Sequence, residues 1–167
     1  GRILKESMRI LPASSYSQRI CAAPTMLGNV PLNRGTPVVF SQYVTHRIPE
    51  LYPEPESFCP DRWLNGPMSP YAYLPFGAGA KMCIGAPLAM TTLRTVLPSI
   101  LKRYRLTVVP GCEVNGKIVS TMLGPTTPVP MHVAHQDGRF QSSPVTGNIH
   151  SMVWLQQGTE SRLRRAA

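Results

Sequence analysis

The sequence predicts an α+β chain in which helices and small β-hairpins are joined by much ordered coil. Three observations carry that reading. Apolar residues recur at helical spacing in two stretches, residues 2–11 and 84–104. Short apolar runs lie between Gly, Asn and Pro turns, as strands of small hairpins do. Finally, 18 prolines among 167 residues favour irregular coil over long helices. The length suffices for one domain with a core, and 43% hydrophobic content is ordinary.

In the first stretch Ile3, Leu4, Met8 and Leu11 fall near one helix face, and Pro12 ends it. Glu6 and Arg9 lie one turn apart and can bond each other. Taken alone, such a pair is a weak surface ion pair. Tyr16–Ala22 reads as extended, Gly28-Asn29 as a turn and Val38–Phe40 as a strand, and Tyr43–Arg47 follows. His46 within it is expected to cap or pack locally. Leu51–Pro75 contains Pro53, Pro55, Pro60, Pro67, Pro70 and Pro75, the composition of a linker. It also carries Leu51, Tyr52, Phe58, Trp63, Tyr71, Tyr73 and Leu74, too many large apolar groups for a solvated tether, so ordered coil is expected.

The second helix spans Ile84–Tyr104, with Pro87 in its first turn and an apolar stripe of Leu93, Leu97, Ile100, Leu101 and Tyr104. Pro98 should kink or break it. Arg105–Val109 and Met131–Ala134 read as strands, with Lys117–Leu123 a candidate between them. Residues 141–167, ending in Arg162, Arg164 and Arg165, read as an appended flexible tail.

Seventeen Lys+Arg against eight Asp+Glu give a net charge of +9. From Arg62 to Cys112 the chain carries Arg62, Lys81, Arg94, Lys102, Arg103 and Arg105 and no acidic residue. Such a run is either a docking face for an acidic protein or a solvated helix face. No aromatic-interleaved basic motif or finger spacing supports nucleic-acid binding. Cys21, Cys59, Cys83 and Cys112 are widely separated, which argues against a disulfide framework and against zinc. His132 and His135 fall in a strand-like run whose spacing puts them on opposite faces.

Phe76-Gly77-Ala78-Gly79-Ala80-Lys81-Met82-Cys83-Ile84-Gly85 presents one cysteine just before a helix. A single cysteine suits haem, where the porphyrin supplies four nitrogens and the protein adds one axial ligand. Glycines let backbone pass close to a flat ring, and N–H groups at the helix start can steady a thiolate. The competing readings are an inert buried thiol at Cys83, a core aromatic at Phe76 and ordinary turn glycines at Gly77 and Gly79.

This loop resembles the haem-binding signature of cytochrome P450, F-x-x-G-x-R-x-C-x-G. Phe76, Gly79, Cys83 and Gly85 match, and Lys81 stands where arginine or histidine is usual. Glu6-Ser7-Met8-Arg9 matches the family's E-x-x-R element, and Phe58-Cys59-Pro60-Asp61-Arg62-Trp63 resembles its P-E-R-F element. Pro31–Thr36 resembles the I-P-K-G-T turn, and His46-Arg47 the H-R-D-P element with Ile48 in place of aspartate. All stand in family order.

The resemblance implies a mainly α fold with small β-sheets, of which residues 1–140 would be the C-terminal part, and it ends near Gln136-Asp137. It implies haem b with Cys83 as thiolate ligand. Phe76, Gly77, Gly79, Lys81, Gly85 and Arg19 would surround the cofactor, Lys81 and Arg19 pairing its propionates; an exposed strand position is the alternative for Arg19. Glu6, Arg9 and Arg62 would form a buried structural triad.

The implied activity is monooxygenation of a small hydrophobic organic substrate, with electrons from an acidic ferredoxin, flavodoxin or reductase domain. Substrate contacts are expected near Ser14–Tyr16 and Met122-Leu123. No A-G-x-[DE]-T stretch occurs, so the chain reads as a fragment inactive alone, whose helices would expose faces. A haem-thiolate isomerase or peroxygenase, or a non-enzymatic truncated haem-binding remnant, are the alternatives. Its location would be cytoplasmic in a bacterium, or at a membrane if an upstream segment carries an anchor.

Overall fold

The computed structural model describes residues 1–64, 66, 68–140 and 142–155. Helix α1 (Arg2–Ile10) stops before Pro12, and Leu11 N–H closes its last turn on Ser7 O at 2.9 Å. Strand β1 (Ser17–Ile20) then pairs antiparallel with β4 (Pro37–Phe40), Ser17 opposite Phe40. Between them β2 (Thr25–Leu27) and β3 (Val30–Leu32) form a hairpin whose turn needs Gly28, at φ +56°. Ser41 caps α2 (Gln42–Thr45), its hydroxyl accepting from Val44 N–H at 3.2 Å.

The proline-rich stretch that follows is coil with short 3-10 turns at Pro60–Leu64 and Gly79–Lys81. Helix α3 (Ala86–Arg103) runs on through Pro98, so of the kink or break expected there a break does not occur. Pro98 lies on the exposed side, where water can satisfy the carbonyl left without an N–H. No residue of α3 is buried, and Leu88, Leu93, Val96 and Ile100 stand exposed along it. None of the helices among the described residues is long and apolar enough to cross a membrane.

Strand β5 (Tyr104–Val108) pairs with β8 (Met131–His135). Lys117–Leu123 is not one strand but most of a hairpin. Strands β6 (Gly116–Val119) and β7 (Met122–Pro125) reverse at Ser120, which takes φ +56°.

Of the stretch expected to be a flexible tail, residues 142–155 are described. They hold α4 (Ile149–Met152) and form parallel bridges, Thr146 beside Glu113 and Trp154 beside Ser57. Their Ser, Pro, Thr, Gly and Asn residues read as coil, but their backbone groups are paired with distant chain. The rest of that expectation, including Arg162, Arg164 and Arg165, lies outside the described residues.

The core is small and largely polar. Ile10, Tyr52, Trp63 and Ala72 are buried, and so are Glu6, Arg9, His46 and Gln42. It lies where α1 meets the 3-10 turn at Pro60–Leu64, behind the cysteine loop.

Candidate functional site

Glu6 has no exposed surface, and its carboxylate is saturated. Oε1 accepts from Arg9 Nη2 at 2.9 Å, Arg62 Nε at 3.0 Å and Cys59 N–H at 2.9 Å. Oε2 accepts from Arg9 Nε at 3.0 Å and the Trp63 indole N–H at 2.9 Å. Burial works against the charged carboxylate, but the bonds from Arg9, Cys59 and Trp63 outweigh it and hold the pKa below its ordinary value. The guanidinium groups spend their remaining donors on the coil. Arg9 Nη1 reaches His46 O at 2.8 Å and Pro55 O at 2.7 Å, and Arg62 Nη1 reaches Pro53 O at 2.9 Å. Planar forks allow this, since each presents donors in several directions at once.

His46 is fully buried; its backbone N–H caps α2 on Gln42 O at 2.9 Å, as the sequence suggested, while its ring reaches further along the chain. Its Nδ1 lies 3.0 Å from Arg9 O, and its Nε2 accepts from Leu74 N–H at 2.8 Å. Those two contacts require the neutral ring with the proton on Nδ1. Burial is the main cause that lowers its pKa to about 4, helped by the charges of Arg9 and Arg47. The imidazole also stacks on Tyr73, with ring centroids 5.6 Å apart. It therefore links the triad helix to Leu74, two residues before the cysteine loop.

In the loop, Cys83 N–H bonds Phe76 O at 2.9 Å and closes the two ends on each other. Gly77 at φ +72° and Gly79 at φ +69° make the bends between, in a region L side chains avoid. A Cβ at either glycine would meet nothing within 4 Å, so the φ angles, not crowding, explain the residue type. Gly85 differs: its φ is ordinary, and a Cβ there would touch Cys83 Sγ at 3.7 Å. Cys83 itself is an exposed free thiol immediately before α3.

Cys83 opens onto a cleft of about 370 Å³. Phe76, Gly77 and Lys81 from the loop line it, Arg19 and Phe40 face them from the β1–β4 ladder, and Ser14 and Met122 close one side. Ser14 and Met122 are bridged as antiparallel partners, which joins the two segments expected to touch substrate; Tyr16 is not on the lining. Gly79 and Gly85 shape the loop but do not line the cleft. Sequence reasoning missed Trp63, Cys59 N–H and His46 as partners of the triad and loop. For Trp63 a signal existed: an indole in ordered coil needs an acceptor for its N–H.

Fold and site together define a cysteine-loop protein of the P450 architecture, and the comparisons agree. The family model "Cytochrome P450" matches residues 2–131, and the chain belongs to that family. Cyclooctat-9-en-7-ol 5-monooxygenase of Streptomyces melanosporofaciens is 41% identical over 65% of this chain and 24% of its own length. Cytochrome P450 3A16 of Mus musculus is 30% identical over 81% of this chain and 28% of its own. The structure of retinoic acid bound cyanobacterial CYP120A1 superposes with a TM-score of 0.73 at 23% identity, covering 81% of this chain and 32% of that one, which shows the shared fold. The chain thus spans about a quarter of the length of the curated relatives it matches.

Family membership implies a haem with a cysteine thiolate, and the donor set here fits that group. The cleft offers a thiol and two cations, Arg19 and Lys81, and no carboxylate lines it. Among the described residues neither cation forms a salt bridge; Arg19 lies over the Phe40 ring at 5.5 Å and donates to Gln18 O. Two uncommitted cations suit the two carboxylates at a haem's edge.

Proposed function

We propose that this chain forms the haem-binding side of a haem-thiolate monooxygenase, with Cys83 as the axial ligand. The observation that carries the reading is the carboxylate-free cleft in which Cys83, Phe76, Lys81 and Arg19 meet. A bound haem b supplies reduction of O2 and insertion of one oxygen atom into an organic substrate. The protein's own residues do the rest. Cys83 gives the thiolate, and Phe76 lies against the ligand side and tunes its potential. Gly77 and Gly79 present open ground above the loop. Lys81 and Arg19 take the propionates, Lys81 as a point charge and Arg19 as a fork. Glu6, Arg9 and Arg62 fix the coil that delivers the loop.

The substrate is a small hydrophobic molecule, in keeping with Ala13, Phe40 and Met122 on the cleft wall and with the cyclooctat-9-en-7-ol named for the Streptomyces relative. Electrons come from an acidic ferredoxin, flavodoxin or reductase domain. Arg94, Lys102 and Arg103 are the exposed basic residues for it, since Lys81 turns to the cleft and Arg62 and Arg105 turn to Glu6 and Asp137.

The test uses the longest polypeptide that carries this chain, reconstituted with haem, a reductase system and an apolar cyclic alcohol under 18O2. One 18O atom per product is expected, and Cys83→Ser should abolish it. Product formed without label, or equally well by the variant, overturns the monooxygenase reading.

A further inference from the structure

We propose that residues 142–155 form a clasp that positions the cleft-lining β6–β7 hairpin, with Asn148 and Gly147 as its positioning residues. The segment lies beyond residues 2–131, the stretch matched by the family model. A two-stranded hairpin has little stability of its own and takes its position from what holds it. At its tip, β6–β7 is held by residues before β1: Ser15 N–H donates to Thr121 O at 2.9 Å and Leu123 N–H to Ala13 O at 2.8 Å. Those contacts keep Met122 on the cleft wall beside Ser14.

The clasp holds the other end. Asn148 Oδ1 accepts from Gly116 N–H at 2.7 Å, and its Nδ2 donates to Gly116 O at 2.9 Å, so one side chain satisfies both backbone groups of the first residue of β6. Asn115 Oδ1 returns the contact by accepting from Asn148 N–H at 2.8 Å. Gly147 takes φ +102°, and a Cβ there would stand 2.5 Å from Val114 O, so only glycine lets the two segments meet this closely. The Met152 sulfur packs on Gly116, where an added Cβ would lie 2.8 Å from it.

The far end of the clasp is tied to the triad coil. Arg47 Nη2 donates to Met152 O at 2.9 Å, Trp154 N–H donates to Glu56 O at 2.8 Å, and Phe58 N–H donates to Trp154 O at 2.9 Å. Ser57, between those partners, gives its carbonyl to Arg9. Hairpin position is thereby linked through the clasp to the coil that the ionic core holds. The functional meaning of the clasp rests on the oxygenase reading of the cleft, but its geometry does not.

Hydrogen–deuterium exchange of the full polypeptide tests it, comparing wild type with Asn148→Ala, Asn148→Asp, Gly147→Val and a truncation after Phe140. Amides of residues 116–125 should exchange at least about tenfold faster in Asn148→Ala, Gly147→Val and the truncation, while residues 17–40 stay unchanged. Asn148→Asp keeps the acceptor but loses the Nδ2 donor, and should fall between. Affinity for an apolar cyclic alcohol should weaken several-fold in Asn148→Ala without loss of the haem-thiolate spectrum. Unchanged exchange at 116–125 overturns the proposal, and so does an equal rise everywhere, which would make the segment a general stabiliser. Should the truncation fail to fold, the point variants decide. A missing thiolate spectrum with localised exchange would count against the oxygenase reading and leave the clasp standing.

Discussion

The triad region and the cysteine loop with α3 are opposites in construction. Around Glu6 every buried charge has its partners, aromatic rings fill the space between, and the coil is tied down by guanidinium groups. Around Cys83 the thiol is exposed, the glycines face open space, and α3 buries no residue. One region is complete within the described residues; the other leaves its thiol, its bend glycines and a whole helix open. The difference separates a region that holds from a region left open, and the open loop is backed by a coil that a saturated ionic core fixes. The predictions that follow test that separation.

The largest effect is expected at the carboxylate. Glu6→Gln strands two guanidinium groups in the core and should cost about 3–5 kcal/mol, read as a fall in the urea midpoint. A change below about 1 kcal/mol would mean that the network adjusts, and the contrast between regions would fail.

Next comes acid. His46 is held neutral with its pKa lowered to about 4 from 6.5, so the unfolded chain binds its proton first. Stability tied to His46 is present above pH 6.5 and is lost as pH falls toward 4, by about 3 kcal/mol over that window. Glu6, also shifted down, adds loss in the same direction at lower pH. In His46→Asn the slope of stability against pH between 4 and 6.5 should flatten, as urea midpoints at several pH values will show. An unchanged slope would place the acid sensitivity elsewhere.

A smaller effect is expected in the loop backbone. Gly77→Ala puts a side chain at φ +72° with free space around it, and should cost about 1 kcal/mol through conformation alone. Thermal denaturation measures it, and a loss as large as that of Glu6→Gln would contradict the open character of the loop. Cys83→Ser should be smallest, within about 0.5 kcal/mol of wild type, because the thiol is exposed and holds nothing in place.

The sequence made some of this legible and hid the rest for physical reasons. Helix α1, the turn at Gly28, the ordered coil and the loop before α3 follow from periodicity, turn chemistry and residue size, all local signals. The convergence of Glu6 with Arg62 is not local, and only the family resemblance brought those residues together. His46 left no sequence signal, since its partners are backbone groups of Arg9 and Leu74, far along the chain in both directions. Pro98 lies on the exposed side of α3, where water can reach the carbonyl that its missing N–H leaves free. Residues 142–155 have the polar, glycine-containing composition of a tail, and their contacts with Arg47, residues 56–58 and residues 111–116 left no local signal because the partners are mostly distant backbone groups.

The most direct test of the central claim is the ferrous–CO difference spectrum of the longest expressible form, recorded beside Cys83→Ser. A strongly red-shifted Soret band in the parent, absent from a variant with the same urea midpoint, is the predicted result. It would place the ligand at Cys83 and the stability in the triad. A shift that persists in Cys83→Ser, or one lost only together with the fold, would contradict the account.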